Sequence, residues 1–367
     1  MNKILVILGP TSSGKSDIAI KLAKKFAGEI ISADSRQIFR GMDVGTGKIE
    51  RDKKSLALRN SESSARGRKK PSFEKVFMSN DIPHYMIDIV TPRTDFNVAK
   101  FKSLAEKTIE DILQRGKLPI ICGGTGFWIK AIVDDVNFPE VKPDWKLRER
   151  LEKYSAEKLF AMLKKLDPAR SKTIDEKNKV RLIRAIEICR AIGKVPALFC
   201  HSDRPALRGA EESKCISNCK PSDYRHRSLD FARDDKDNYE FLQIGIQLTK
   251  EKLHQNIEKR VIARFKQGMI DETENLHSKT KLSWKKIQSF GLAYFWIPLF
   301  LQNKISKEEL FEKVIQAEKN YAKRQMTWFR RDARIKWIGN YSKIEKSAKA
   351  FLKQKNTGTI FRPCFIR

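Results

Sequence analysis

Eight consecutive residues near the start of the chain, GPTSSGKS, place Gly9, Pro10, Thr11, Ser12, Ser13, Gly14, Lys15 and Ser16 in the spacing G-x4-G-K-S. A loop of this kind turns backbone N–H groups and a helix N-terminus toward two linked phosphates, sets the lysine on the outer one and offers the hydroxyl, here Ser16, to Mg2+. Its default occupant is a nucleotide such as ATP. A second chemistry-bearing group is Asp34, in SADSRQIFRGMDVGTGK, just past an apolar run. An acid there either caps a following helix together with Ser35 or accepts a proton from a nucleophile presented to the phosphate-bearing ligand. Spacing alone favours the cap. Asp88, within YMIDI, is a candidate metal-site acid or a polar group buried near a turn.

The phosphate loop leaves kinase, hydrolase and transferase open. The apolar run ending at Cys122 continues into Gly123 and Gly124 instead of an acid, which weakens ATP-driven hydrolysis. The asparagine–lysine pair at Asn303 reads NKIS, so the NKxD guanine motif of GTPases is absent there.

These residues need a scaffold, and the hydrophobic pattern supplies one. Continuous apolar runs at Ile4 to Leu8, Gly28 to Asp34, His84 to Val90, Leu118 to Gly124 and Glu240 to Leu248 read as buried strands of a parallel sheet. Val98 to Gly116 has helical period and a glycine stop. The result is α/β winding with the phosphate loop at the carboxyl end of the first strand. After Gly126 long charged helices follow, and the C-terminal third is amphipathic helix ending in a short RIKWIG strand. Residues 51–75 and 202–237 are polar, basic and turn-rich, and read as solvated insertions.

The 367 residues carry a net charge of +30 and a sequence pI near 9.9, a balance that points to a polyanionic partner, nucleic acid before membrane. The N-terminal apolar stretch is used by the loop strand rather than by a signal peptide, and the apolar run Phe290 to Leu301 is too short to span a bilayer. A soluble cytoplasmic protein is expected. Of the six cysteines, Cys122, Cys189 and Cys200 read as buried thiols. Cys215 and Cys219, flanked by His201 and His226, lack usual zinc spacing and read as thiols of a solvated loop.

Taken in order, GPTSSGKS, ADSRQIFRGMDVGTGK, IPHYMIDIVTP, GKLPIICGGTGFWIKAI and NYAKRQMTWFRR resemble the tRNA dimethylallyltransferase (tRNA isopentenyltransferase) family over most of the chain outside the insertions and tail. The resemblance implies a P-loop NTPase-like parallel sheet flanked by helices, with an inserted helical tRNA-binding domain. It implies a core at 1–126 and 185–345, a helical insertion at 127–184 and a tail at 346–367. The implied reaction moves a dimethylallyl group from dimethylallyl diphosphate to the exocyclic amine of the adenosine 3′ of the anticodon, with Mg2+ as cofactor. The loop then grips a diphosphate leaving group through Gly9 to Ser16, with Thr11 close to the donor and Ser16 on the metal.

By the same resemblance Asp34 is the general base and Arg260 reaches the diphosphate, while Asn256 stands where an arginine is common. The tRNA contacts implied are Asp34, Ser35, Arg36 and Gln37, then Thr125, Arg148, and the segment Val180, Arg181, Leu182, Ile183 and Arg184, in which Val180 replaces a usual glutamine. Leu292 occupies a usual tyrosine position, so no stacking role carries over. Lys323, Arg324, Gln325 and Trp328 match the C-terminal block, Trp328 as core packing. The partner implied is the tRNA anticodon stem-loop, with no membrane and a monomeric enzyme. A nucleotide kinase and an RNA-binding protein with a degenerate site are the rival readings; the first predicts nucleotide turnover, and the second is opposed by the presence of Lys15, Ser16, Asp34 and Arg260.

Overall fold

A computed structural model describes residues 2–52, 76–196 and 239–354. Most of both basic insertions, the residues after 354, and Cys200, His201, Cys215, Cys219 and His226 lie outside the described residues. The chain divides into two compact units, one made of Met1–Val133 with Lys214–Arg367 and the other of Asp134–Ser213.

In the larger unit the order begins β1 (Asn2–Leu8), α1 (Lys15–Lys25), β2 (Gly28–Ser32), β3 (Phe77–Ser79), β4 (Ile82–Tyr85), α2 (Val98–Gln114), β5 (Leu118–Gly123) and α3 (Gly126–Val133). Along β1, Ile4, Val6 and Leu8 face one helical layer while Leu5 and Ile7 face the other, all of them buried. Burial on both faces is why this run is continuously apolar rather than alternating. Asn97 caps α2 by accepting from the Lys100 N–H, and Gly116 (φ 66) turns the chain out of its end.

The smaller unit holds α4 (Trp145–Glu152), α5 (Ala156–Leu166), α6 (Pro168–Ser171) and α7 (Lys179–Ile192). Asp144, Ser155, Asp167 and Asn178 cap them in turn. Leu147, Leu151, Leu159, Leu163, Leu182 and Ile186 form its core. The expected boundary after residue 184 therefore falls inside α7, whose buried side chains on both sides of that point share one cluster. The expected start at 127 falls inside α3, which packs Trp128 and Ile129 into the sheet's own core.

The larger unit resumes with β6 (Tyr239–Ile246), α8 (Lys250–Lys266), α9 (Met269–Ser278), α10 (Trp284–Gln288), α11 (Ala293–Leu301), α12 (Lys307–Phe329), β7 (Lys336–Ile338) and α13 (Tyr341–Lys353). The described strands form one sheet of order β3-β4-β2-β5-β1-β6-β7, parallel except for the β3–β4 edge pair. Helices α2 and α3 cover one face; α1 and α13 cover the other. Part of the expected tail is thus α13, with Ile344, Ala348 and Phe351 buried against the sheet. No described helix is long and apolar enough to cross a membrane.

The strand expected over His84 to Val90 stops at Tyr85, because Met86 (φ 62) and Asp88 (φ 56) adopt left-handed backbone. Asp88 is not a metal-site acid: its carboxylate pairs with Lys48 at 2.5 Å and Arg51 at 3.0 Å. His84 on β4 lies 2.9 Å by Nδ1 from the Ile82 carbonyl, so that nitrogen carries the proton. Burial lowers its pKa to about 4, keeping the ring neutral. Its contribution to stability is complete above the unfolded pKa near 6.5 and is lost as pH falls toward about 4, at up to about 1.4 kcal/mol per pH unit. Urea unfolding across that window should show a shallower decline for His84→Gln than for the wild type; equal slopes would show that His84 does not carry it.

Candidate active site

The carboxyl ends of β1, β2, β5 and β6 open onto one cleft of about 890 Å³, the edge of a parallel sheet where ligands bind in open α/β folds. β1 delivers the phosphate loop. Ser12 (φ 61) and Gly14 (φ 81) are left-handed, which turns the intervening backbone toward the cleft ahead of α1. The Lys15 ammonium donates to the Pro10 carbonyl at 3.2 Å. Thr11 through Ser16 line the cleft, whereas Gly9 and Pro10 are buried and do not. Pro10 has no N–H to offer, and the Thr11 N–H is donated to Gln325 Oε1 at 2.8 Å. Of the eight residues expected from sequence, Thr11 to Ser16 therefore reach the cleft, and the Thr11 N–H is already engaged.

α8 follows β6 and presents Asn256, Arg260 and Arg264, four residues apart, on one face. Asn256 Nδ2 donates to the Ser12 carbonyl at 3.3 Å, so the residue that departs from the family arginine holds the loop itself. Arg260 donates to Thr11 Oγ1 at 3.2 Å and to the Gly47 carbonyl at 2.7 Å. Arg264, buried, donates to the Gly45 carbonyl at 2.8 Å and pairs with buried Glu318 at 2.6 Å. The Glu272 carboxylate accepts from the backbone N–H groups of Asp43, Val44 and Gly45 at 2.7, 2.7 and 2.9 Å, and from the Tyr294 hydroxyl at 2.7 Å. The DVGTGK segment is thereby pinned against the phosphate loop.

Asp34 stands past the end of β2. No helix follows it, so the cap expected from spacing does not form; Oδ1 accepts the Arg36 N–H at 2.9 Å in a local turn, and Oδ2 makes no hydrogen bond among the described residues. Thr125, past β5, accepts the Ser35 N–H on Oγ1 at 3.0 Å and donates its own N–H to the Ala33 carbonyl at 3.1 Å. Gln37 accepts from the Ser32 hydroxyl at 3.0 Å. Tyr321 of α12 lies against Thr125 with its pKa raised by burial and then by the Asp34 charge.

Burial lowers the pKa values of Lys15, Arg36 and Arg260, and the Asp34 carboxylate opposes each shift. Three desolvated cations facing one cleft, with Asp34 among them, favour a polyanion next to a group that can lose a proton. Glu272, Glu318, Arg264 and Tyr321 are absent from the sequence expectation. Arg264 follows Arg260 by one helical step, a signal that was there to read; nothing marks Glu272 or Glu318 before packing is known.

The expected RNA-contact residues of the smaller unit divide. Arg148 pairs with Glu187 at 2.8 Å, and Arg184 pairs with the same carboxylate and donates to the Val141 carbonyl at 2.9 Å. Leu182 and Ile183 are core residues, which corrects their expected role: no RNA reaches a side chain sealed inside that unit. Val180, 73% exposed, and Arg181 remain on its surface.

For the implied metal, no cluster of three His, Cys, Asp or Glu able to hold an ion occurs among the described residues. Ser16 nevertheless lines the cleft beside Lys15 and Asp34. That donor set fits an Mg2+ ion carried largely by substrate phosphates and water rather than a protein cage.

Loop, cationic cleft and half-buried carboxylate together define a P-loop-like protein. Family models described as isopentenyl transferase and IPP transferase match residues 2–59 and 67–332. A tRNA dimethylallyltransferase of Acetivibrio thermocellus is 35% identical over 96% of this chain and 98% of its own, and one of Finegoldia magna is 36% identical over 92% and 90%. The crystal structure of a tRNA isopentenylpyrophosphate transferase from Staphylococcus epidermidis is similar with TM-score 0.57 and 30% identity over 97% of this chain and 100% of that one. A Bacillus halodurans counterpart gives 0.60 and 27% over 96% and 97%. The chain belongs to the tRNA dimethylallyltransferase family.

Removing one partner of the Arg264–Glu318 pair strands a buried charge. Glu318→Ala should cost about 3–5 kcal/mol in urea unfolding, and Glu318→Gln clearly less because a hydrogen-bond acceptor remains. A loss under about 1 kcal/mol for the alanine variant would contradict this assignment.

Proposed function

We propose that this protein transfers the dimethylallyl group of dimethylallyl diphosphate to the exocyclic amine of the adenosine 3′ of the anticodon in tRNA, giving isopentenyladenosine and diphosphate. The observation that carries the reading is the placement of Asp34 across one cleft from the desolvated Lys15 and Arg260. In the reaction the allylic C–O bond breaks and its electron pair leaves with diphosphate, while the amine nitrogen bonds to the allylic carbon and gives up a proton.

Negative charge grows on the leaving group as the bond breaks. Lys15, Arg260 and the N–H groups of Ser12 to Ser16 are fixed where they stabilise that charge more in the transition state than in the bound donor. The Ser16 hydroxyl would hold Mg2+, which when bound would supply further neutralisation of the same charge. Adenine's amine is a weak nucleophile, and Oδ2 of Asp34, which makes no hydrogen bond among the described residues, accepts its proton as the new bond forms. The Thr11 hydroxyl, which accepts from Arg260, lies on the donor side.

A base stacked in an anticodon loop cannot reach such a cleft, so the nucleotide is flipped out. Ser35, Arg36, Gln37 and Thr125 flank the base-facing side. We assign the helical unit to clamping the RNA by shape and phosphate charge through surface groups such as Arg181, in keeping with a net charge of +30. The enzyme is read as a cytoplasmic monomer.

Incubation with Mg2+, labelled dimethylallyl diphosphate and unmodified tRNA should place label in the RNA; ATP consumption with no label in RNA would contradict the reading. Asp34→Ala should lower transfer by about 10²–10⁴-fold while tRNA affinity stays within about threefold. Joint loss of both would make Asp34 structural.

A further inference from the structure

Gln325, on α12 and 5% exposed, spans the two halves of the cleft with one amide. Its Oε1 accepts the Thr11 N–H at 2.8 Å, and its Nε2 donates to the Gly124 carbonyl at 2.8 Å. The approach at Gly124 is so close that a Cβ there would lie 2.3 Å from Nε2. The next residue, Thr125, is bonded to Ala33 and Ser35 on either side of Asp34. On the other side, Thr11 is held by Arg260. An unbroken path of hydrogen bonds and adjacent backbone therefore runs from the phosphate loop through Gln325 and Thr125 to the Asp34 turn.

We propose that Gln325 is a positioning residue that sets the separation between the donor-gripping loop and the proton acceptor. The inference rests on the transfer reaction assigned above, with Thr11 on the donor side and Asp34 on the acceptor side. Gln325 touches no reacting atom. It acts by joining two backbones, β1's loop and β5's end, through one amide. The amide is suited to this because one end must accept and the other must donate. A misplacement of about 1 Å between reacting groups costs on the order of 10²-fold in rate, so a spacer of this kind affects turnover more than binding.

The chemistry of the amide gives a distinctive test. An ionised glutamate at this position accepts from Thr11 N–H but repels the Gly124 carbonyl, whereas the protonated acid both accepts and donates. Leucine does neither. At about pH 8, Gln325→Glu and Gln325→Leu should each lower kcat by about 30–100-fold, with KM for donor and tRNA within about threefold of wild type. As pH falls, the ratio of Gln325→Glu to wild-type kcat, each taken per folded protein as read by circular dichroism at that pH, should climb, while the Gln325→Leu ratio stays flat; a role in folding alone leaves both of these ratios unchanged with pH. The proposal is overturned if kcat of the glutamate variant stays within threefold of wild type at pH 8. It is equally overturned if the deficit lies in KM, or if the glutamate ratio is independent of pH. Wild-type enzyme run in parallel separates the two claims: an inactive wild type sinks the assigned reaction and with it this role, whereas an active wild type with an equally active variant sinks this role alone.

Discussion

Crowding like charges into a water-poor cleft is costly, and the structure depends on how that cost is met. Lys15, Arg36 and Arg260 are each made less basic by burial, and Arg264 beside Arg260 adds to the repulsion. Glu318 neutralises Arg264, Asp34 offsets the others, and backbone carbonyls of Pro10, Gly45 and Gly47 take up the donors. The same carbonyls belong to the phosphate loop and to the DVGTGK segment. Meeting the electrostatic cost therefore also builds the walls of the site.

This arrangement explains why the C-terminal helices, remote in sequence, belong to the catalytic core. α8 supplies Asn256, Arg260 and Arg264, while α12 supplies Glu318, Tyr321 and Gln325 from successive turns of one face. Glu272, leading from α9, closes three backbone N–H groups of the DVGTGK segment with one carboxylate. A phosphate loop alone grips an anion; these helices fix which neighbours the anion meets.

Much of the larger unit was legible in sequence because two-sided burial leaves continuous apolar runs, and because a phosphate loop must sit between a strand and a helix. Asn97 and Gly116 likewise mark the ends of α2. The end of β4 was not legible: the run His84 to Val90 is mostly apolar, but left-handed backbone at Met86 and Asp88 ends the strand at Tyr85. Leu182 and Ile183 were misread as RNA-facing because a family motif names a segment, whereas helical period buries two of its five positions. Asp34 looked like a cap by spacing, but no helix follows it, and among the described residues only one of its oxygens is hydrogen-bonded. Gln325 matches the family's C-terminal block in sequence, but the role proposed for it depends on two backbones brought together from residues 11 and 124.

The central claim is that this cleft is built to hold the diphosphate of a leaving group through a desolvated guanidinium. Calorimetric titration of inorganic diphosphate with Mg2+ into wild-type protein and Arg260→Gln tests it directly. A single site weakened by about tenfold or more in the variant is the predicted result, the loss of a charged hydrogen-bonding partner being worth about 1.5–3 kcal/mol. Equal affinity in the two proteins would contradict it.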